Sequence, residues 1–111
     1  MSIALRVISG KWKPLILREL KGGTLRYSQL QRRIPEASQK VLTSQLRQLE
    51  KEGIIQRRVY PESIPRTQYT LTTYGSTLRP ALLELARWGS RHSRYFQSGQ
   101  NPESSHKTFY A

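Results

Sequence analysis

The order of secondary structure is set by residues 27–72, YSQLQRRIPEASQKVLTSQLRQLEKEGIIQRRVYPESIPRTQYTLT. Within this segment the spacing of apolar residues changes once, from the helical period to the strand period of two. The change falls at Gly53, and glycine is the residue that most often follows the end of a helix. The segment therefore predicts helices before Gly53 and strands after it.

Two helices are predicted before Gly53. The first covers 27–33 and ends before Pro35, because a proline ring disfavours helical backbone in the residue that precedes it. Ser38 is a favourable N-cap for the second helix, 39–52, which contains neither glycine nor proline. The apolar stripe of this second helix has helical spacing and consists of Leu42, Leu46 and Leu49.

Two strands are predicted after Gly53. Residues 54–60 alternate loosely between apolar and polar, and residues 67–72 are rich in side chains that favour strands. The segment 61–65 between them carries two prolines, which stiffen a turn. We therefore expect a β-hairpin with a basic tip.

Helical spacing continues on both sides of this segment. Short helices are predicted over 3–8 and 12–20, with Gly10 between them, and a longer one over 74–96. Pro80 predicts a kink or break near 78–79. Residues 24–26 are too short for more than a turn or a brief strand.

We expect one domain over 1–97 and a loose tail over 98–111, which could become ordered on a partner.

Two helices joined by a few residues and followed by a hairpin are the plan of a winged helix-turn-helix. The predicted fold class is therefore mainly α with a small β-hairpin wing. In this plan the second helix enters the major groove of DNA, and the hairpin reaches the minor groove or the phosphates.

Composition narrows the classes of function. Nineteen Lys and Arg against seven Glu give a net charge of +12, which favours a polyanionic partner, either nucleic acid or an anionic membrane. The sequence contains no cysteine, no aspartate and two histidines, so thiol chemistry, a metal site, a serine triad and a cofactor are not expected. Its apolar runs are too short to span a membrane, and a signal segment is not apparent, so we expect a cytoplasmic protein.

The outer face of helix 39–52 carries side chains that can recognise DNA. Gln39 can pair with adenine through its amide, Lys40 can reach guanine, and the methyl group of Thr43 can contact that of thymine. Arg47 is as suited to phosphate as to bases, and the wing at 60–67 contributes a further cation. The predicted DNA-binding residues are Ser38, Gln39, Lys40, Thr43, Ser44, Arg47 and Arg66. The alternative interpretation of this face is an ordinary hydrated helix surface.

Three segments together resemble a known family. They are ALRVISGKWKPLILREL (4–20), LRYSQLQRRIPEASQKVLTSQLRQLEKEGIIQRRVYPESIPRTQYTLT (25–72) and YGSTLRPALLELARWG (74–89). Their most specific parts are GKW at 10–12, KVLT at 40–43, and the tyrosines, prolines and arginine of 60–72. The chain is similar over these segments to the HxlR-type branch of the winged-helix regulators, which is related to the MarR group.

The resemblance implies a bacterial or archaeal transcription regulator that binds a roughly palindromic operator as a homodimer. It also implies dimer contacts through the first and last helices. Many members carry a cysteine just before the position of Ala4, and this chain has none, so a thiol switch is excluded and any small-molecule effector is unidentified.

A dimer also follows from the residues themselves. One recognition helix covers few base pairs, so pairing two copies doubles the discriminating contacts and fixes the spacing of half-sites. The last helix, moreover, has more apolar side chains than one small core needs, and that surplus needs a partner. The predicted interface residues are Ile3, Val7, Leu78, Leu82, Leu85, Trp88 and Tyr95.

The sequence favours one of three classes of function. The favoured one is a sequence-specific transcriptional regulator, by default a repressor. The alternative is a packaging or RNA-binding protein in which charge alone provides the binding. An enzyme is the least supported, because the sequence offers no recognisable acid–base pair, nucleophile arrangement or phosphate-binding loop.

Overall fold

The computed structural model describes residues 1–63 and 66–97 of the chain. The predicted tail at 98–111 and part of the predicted turn, Ile64 and Pro65, lie outside the described residues. The elements are α1 (Ser2–Ile8), α2 (Trp12–Leu20), β1 (Leu25–Arg26), α3 (Tyr27–Arg33), α4 (Gln39–Lys51), β2 (Ile55–Tyr60), β3 (Arg66–Leu71), α5 (Thr73–Ser76) and α6 (Arg79–Gln97). They form two compact units, Met1–Leu78 and a second that begins at Arg79.

The sheet has one strand more than the predicted hairpin. β2 and β3 pair antiparallel with Tyr60 opposite Arg66, as the sequence predicts for a wing. The short strand β1 pairs with the other edge of β3, where Leu25 lies opposite Tyr69. The sheet order is therefore β1-β3-β2. A strand of two residues is too short to show a periodic pattern of apolar side chains. The sequence alone therefore could not distinguish a turn from a strand at 25–26.

The core of the first unit lies between the helices and this sheet. The leucine stripe predicted on α4 is fully buried, and α4 packs against α2 and β2. The large side chains with almost no exposed surface are Ile16, Leu20, Leu30, Ile34, Leu42, Leu46, Leu49 and Ile55. Burial of one face of α4 fixes its opposite, polar face toward solvent, as expected for an amphipathic helix.

Both ends of α4 are built as predicted, with a one-residue difference at the C-terminus. The Ser38 hydroxyl accepts a hydrogen bond from the backbone N–H of Val41 at 3.1 Å, so it caps the first turn. The helix ends at Lys51 with Glu52 as its C-cap, where the prediction extended it to residue 52. Gly53 has a φ of +76°, a left-handed conformation that favours glycine and turns the chain toward β2.

The long C-terminal helix predicted from residue 74 is broken where Pro80 required a break. α5 ends at Ser76, two residues continue as a turn, and α6 begins at Arg79 with Pro80 in its first turn. A proline is tolerated there because the first N–H groups of a helix have no intrahelical partner. The second unit consists of α6 in its described part, and α6 contains no fully buried residue.

Candidate nucleic-acid interface

The polar face of α4 gathers six of the seven predicted DNA-binding residues on one surface. Ser38, Gln39, Lys40, Thr43, Ser44 and Arg47, together with Gln48, line a single open concavity. Five of the six predicted residues are exposed, and Thr43 is half-buried. The surface thus combines two amides, three hydroxyls and two cations, which are the side-chain types that contact base edges and phosphates.

The position of this face is set by both the packing and the capping of α4. Its leucine stripe is buried on the opposite side, and the cap at Ser38 fixes the first turn. An ion pair also connects the C-terminal half of α4 to β2, because the Arg57 guanidinium lies 3.5 Å from the Glu50 carboxylate. The wing strand and α4 are therefore joined by a charged contact as well as by apolar packing.

Tyr27 contributes to this site in a way the sequence analysis missed. Its phenol oxygen lies 3.3 Å from the backbone carbonyl of Gln39 and 3.2 Å from the Thr43 hydroxyl oxygen. Tyr27 precedes the buried Leu30 by three residues on α3, and its ring is half-buried. The hydroxyl at its tip was the signal that could have indicated a polar partner, because partly buried tyrosines usually find one.

The wing residue Arg66 lies apart from the concavity on α4. Its guanidinium carbon is 4.6 Å from the centre of the Tyr60 ring, and one of its nitrogens is 3.3 Å from the Glu62 carboxylate. Its Nε is buried and has no hydrogen-bond partner among the described residues. Arg66 is therefore held within the hairpin by an aromatic ring and a carboxylate.

Two ionisable groups near α4 have shifted pKa values. Hydrogen bonding and attraction by the Arg6 guanidinium on α1 lower the pKa of the Glu52 carboxyl, which is the C-cap of α4. Burial raises the pKa of the hydroxyl of Tyr69, a residue of the central strand β3. Both shifts belong to the scaffold that holds α4, and neither group lies on its polar face.

The predicted dimer residues are exposed or half-buried. Ile3 on α1 is 71% exposed, and Leu85 and Trp88 on α6 are both more than half exposed. The face of α6 also carries an aromatic row in which the His92 ring stacks on Trp88 at 4.8 Å and meets Phe96 edge-on at 4.6 Å. Val7, Leu78 and Leu82 are half-buried, and Tyr95 is 41% exposed.

None of the helices in the described part of the chain has the length and hydropathy that crossing a membrane requires. Within residues 1–63 and 66–97, His and Glu side chains do not form a group of three or more able to hold a metal ion.

Comparison with known proteins gives consistent matches. The HxlR-like helix-turn-helix family matches residues 7–96. An HTH-type transcriptional regulator of Methanothermobacter thermautotrophicus is 45% identical over 95 residues, covering 86% of this chain and 72% of that protein. The HTH-type transcriptional regulator YtcD of Bacillus subtilis is 47% identical over 88 residues, covering 79% and 70%. The solved structure of the redox regulator HypR in its reduced form has a TM-score of 0.81 at 37% identity, covering 87% and 96%.

Proposed function

We propose that this chain, which belongs to the HxlR-like helix-turn-helix family and is an HTH-type transcriptional regulator, binds a palindromic operator as a homodimer and represses transcription. The observation that carries the proposal is the polar face of α4, which is exposed except at the half-buried Thr43 while the leucine stripe on the opposite face is buried. A helix with this division fits the major groove with its N-terminal residues toward the base edges.

The residues of α4 divide by their expected partners. Gln39 and Lys40 lie in the first turn, where a recognition helix contacts bases, so we assign them to adenine and guanine edges. Arg47, two turns further along, is assigned to a phosphate. Ser38 caps the first turn of α4, and we assign a phosphate to the same position because helix N-termini attract anions. Ser44 is a short hydrogen-bond donor on the same face.

The homodimer is supported by the exposed apolar side chains of α1 and α6. Leu85 and Trp88 would be costly to leave in water, and burying the exposed half of each against a second copy would stabilise the pair by about 1 kcal/mol per side chain. Two-fold symmetry of the protein matches two-fold symmetry of the operator. We expect a dimeric mass by light scattering and a monomeric mass for Trp88→Glu, and a wild-type monomer would contradict this part of the proposal.

Repression requires no contact beyond DNA binding. A dimer seated on a promoter excludes RNA polymerase from the same sites, so occupancy alone lowers transcription. HypR is a redox regulator, and this sequence has no cysteine, so we propose that its signal is not a thiol oxidation. The class of any small-molecule effector is not assigned.

The proposal is tested by fluorescence anisotropy with the intergenic DNA beside the gene and with a scrambled duplex at the same salt. We expect a preference of about 10³-fold or more for the intergenic duplex. Gln39→Ala should reduce this preference, whereas Gln48→Ala removes the same type of side chain about two and a half turns later and should preserve the preference. Equal loss in both variants would contradict the assignment of bases to the first turns of α4.

The second candidate is a protein that binds nucleic acid without reading sequence. The net charge of +12 favours it, because phosphate contacts alone supply non-specific binding. It predicts equal affinity for intergenic and scrambled duplexes, and both affinities should fall steeply with salt. The anisotropy experiment therefore separates the two candidates.

A further inference from the structure

We propose that Tyr27 determines which bases Thr43 recognises, by holding the Thr43 hydroxyl as a hydrogen-bond acceptor. The inference rests on the proposed function, in which α4 reads base edges. It assigns a positioning role to a residue of α3 that lies outside the concavity on α4. Tyr27 acts on DNA through Thr43.

The direction of the hydrogen bonds follows from counting protons. The Tyr27 hydroxyl lies within 3.3 Å of two oxygens, the Gln39 carbonyl and the Thr43 hydroxyl. A carbonyl oxygen only accepts, so when both hydrogen bonds are made at once the single phenol proton of Tyr27 goes to Gln39. The bond between Tyr27 and Thr43 then uses the proton of Thr43. The Thr43 oxygen keeps its lone pairs for another donor, and its proton is no longer available to DNA.

This assignment sets the chemistry that Thr43 offers to a base. As an acceptor, it suits the amino groups of adenine and cytosine, which are the hydrogen-bond donors of the major groove. It suits guanine and the oxygen of thymine poorly, because they present acceptors at those positions. A threonine free to rotate can serve as donor or acceptor and discriminates less. Tyr27 thus makes Thr43 selective.

Tyr27 is placed to keep this geometry when DNA binds. It is the first residue of α3 and follows β1, which pairs with the central strand β3. The preceding N–H, of Arg26, donates to the Gln29 side chain at 2.8 Å and caps the start of α3. The Tyr27 ring is half-buried. Because both its backbone and its ring are held, the hydroxyl presents a fixed partner to α4.

The test is a scan of the operator in which each base pair is replaced in turn and the affinity of the full-length protein is measured. Thr43→Val removes the hydroxyl and identifies the base pair that Thr43 contacts. Tyr27→Phe should reduce discrimination at that same base pair by about fivefold, the value of one neutral hydrogen bond, and leave the others unchanged. In the Thr43→Val background, Tyr27→Phe should have no further effect on that base pair.

Tyr74→Phe is the matched control, because it removes the phenol hydroxyl of an exposed tyrosine on α5. Thermal unfolding of each variant checks that the fold is retained. The inference is overturned, with the proposed function intact, if Tyr27→Phe leaves the Thr43 base pair unchanged, if Thr43→Val affects none, or if Tyr27→Phe weakens all operators equally. If the wild type prefers no base pair anywhere, the proposed function fails and the inference fails with it.

Discussion

The guanidinium of Arg66 stacks over the ring of Tyr60, with 4.6 Å between the guanidinium carbon and the ring centre. The two residues are register partners at the loop end of the β2–β3 hairpin, and the Glu62 carboxylate holds the same guanidinium at 3.3 Å. The wing therefore carries its cation in a stacked and ion-paired arrangement. A phosphate that binds Arg66 must compete with Glu62.

The first prediction concerns this competition. Glu62→Gln should strengthen binding to operator and scrambled duplexes alike, because it releases Arg66 for phosphate. Arg66→Ala should weaken binding to all sequences and reduce the slope of log affinity against log salt by about one. Anisotropy titrations at several salt concentrations measure both effects.

Two controls make the wing prediction specific. Glu84→Gln removes an exposed carboxylate that pairs with Arg87 on α6, so it reports the effect of net charge alone. In the Arg66→Ala background, Glu62→Gln should give no more than that charge effect. If Glu62→Gln strengthens DNA binding as much in the Arg66→Ala background as it does in the wild type, Glu62 does not act by holding this guanidinium.

The second prediction separates the two roles of Ser38. Ser38→Ala removes the acceptor for the Val41 N–H and should lower the free energy of unfolding by about 1 kcal/mol. Ser38→Asp keeps a capping acceptor, so stability should be retained, but its negative charge should weaken binding to any DNA. Urea unfolding and anisotropy measure the two properties separately. If Ser38→Asp binds DNA as tightly as the wild type, Ser38 does not face a phosphate.

The third prediction concerns the close contact between Gly75 on α5 and the backbone of Ile54. A Cβ added at Gly75 would lie 1.9 Å from the Ile54 carbonyl oxygen, a backbone atom that cannot swing away. Gly75→Ala should therefore lower the free energy of unfolding by about 3 kcal/mol. Gly89→Ala is the matched control, since a Cβ there meets no described atom within 4 Å, and it should stabilise by about 0.5–1 kcal/mol. Equal effects in urea unfolding would contradict this account.

The fourth prediction is a pH dependence. Burial raises the folded-state pKa of Tyr69 above its ordinary value of 10.0. Below that value the residue is protonated in both states and contributes no pH dependence. As pH rises past it, the unfolded chain loses the proton first, so the wild type loses stability. The free energy of unfolding of Tyr69→Phe should fall less over the same pH interval. If the free energies of unfolding of the wild type and Tyr69→Phe change in parallel from neutral pH to above 10.0, the prediction is contradicted.

Much of the fold could be predicted because the deciding residues are local. The period of Leu42, Leu46 and Leu49 located the core face of α4, and the cap at Ser38 and the glycine at 53 located its ends. Pro80 located the break before α6. Each of these signals depends on the backbone chemistry of one residue or on a repeat within one element, so the sequence alone contains it.

The contacts between elements could not be predicted in the same way. The pairing of Leu25 with Tyr69 joins residues that are far apart in the sequence. The hydrogen bonds of Tyr27 join two different helices, α3 and α4. Periodicity gives the side of a helix on which a residue lies but not the atom it meets. The face of α4 was therefore predictable, whereas the state of the Thr43 hydroxyl and the partners of Arg66 were not.

The most direct test of the account uses the absence of cysteine from the sequence. A single cysteine introduced by Ser44→Cys can carry an iron chelate that cuts nearby DNA, and Ser90→Cys on α6 provides the comparison. If the protein binds a palindromic operator as the proposed dimer, the Ser44→Cys conjugate should cut within the major groove of both half-sites, at positions related by the operator's symmetry. If that conjugate binds the operator without cutting it, while the one on α6 cuts, the polar face of α4 does not read DNA.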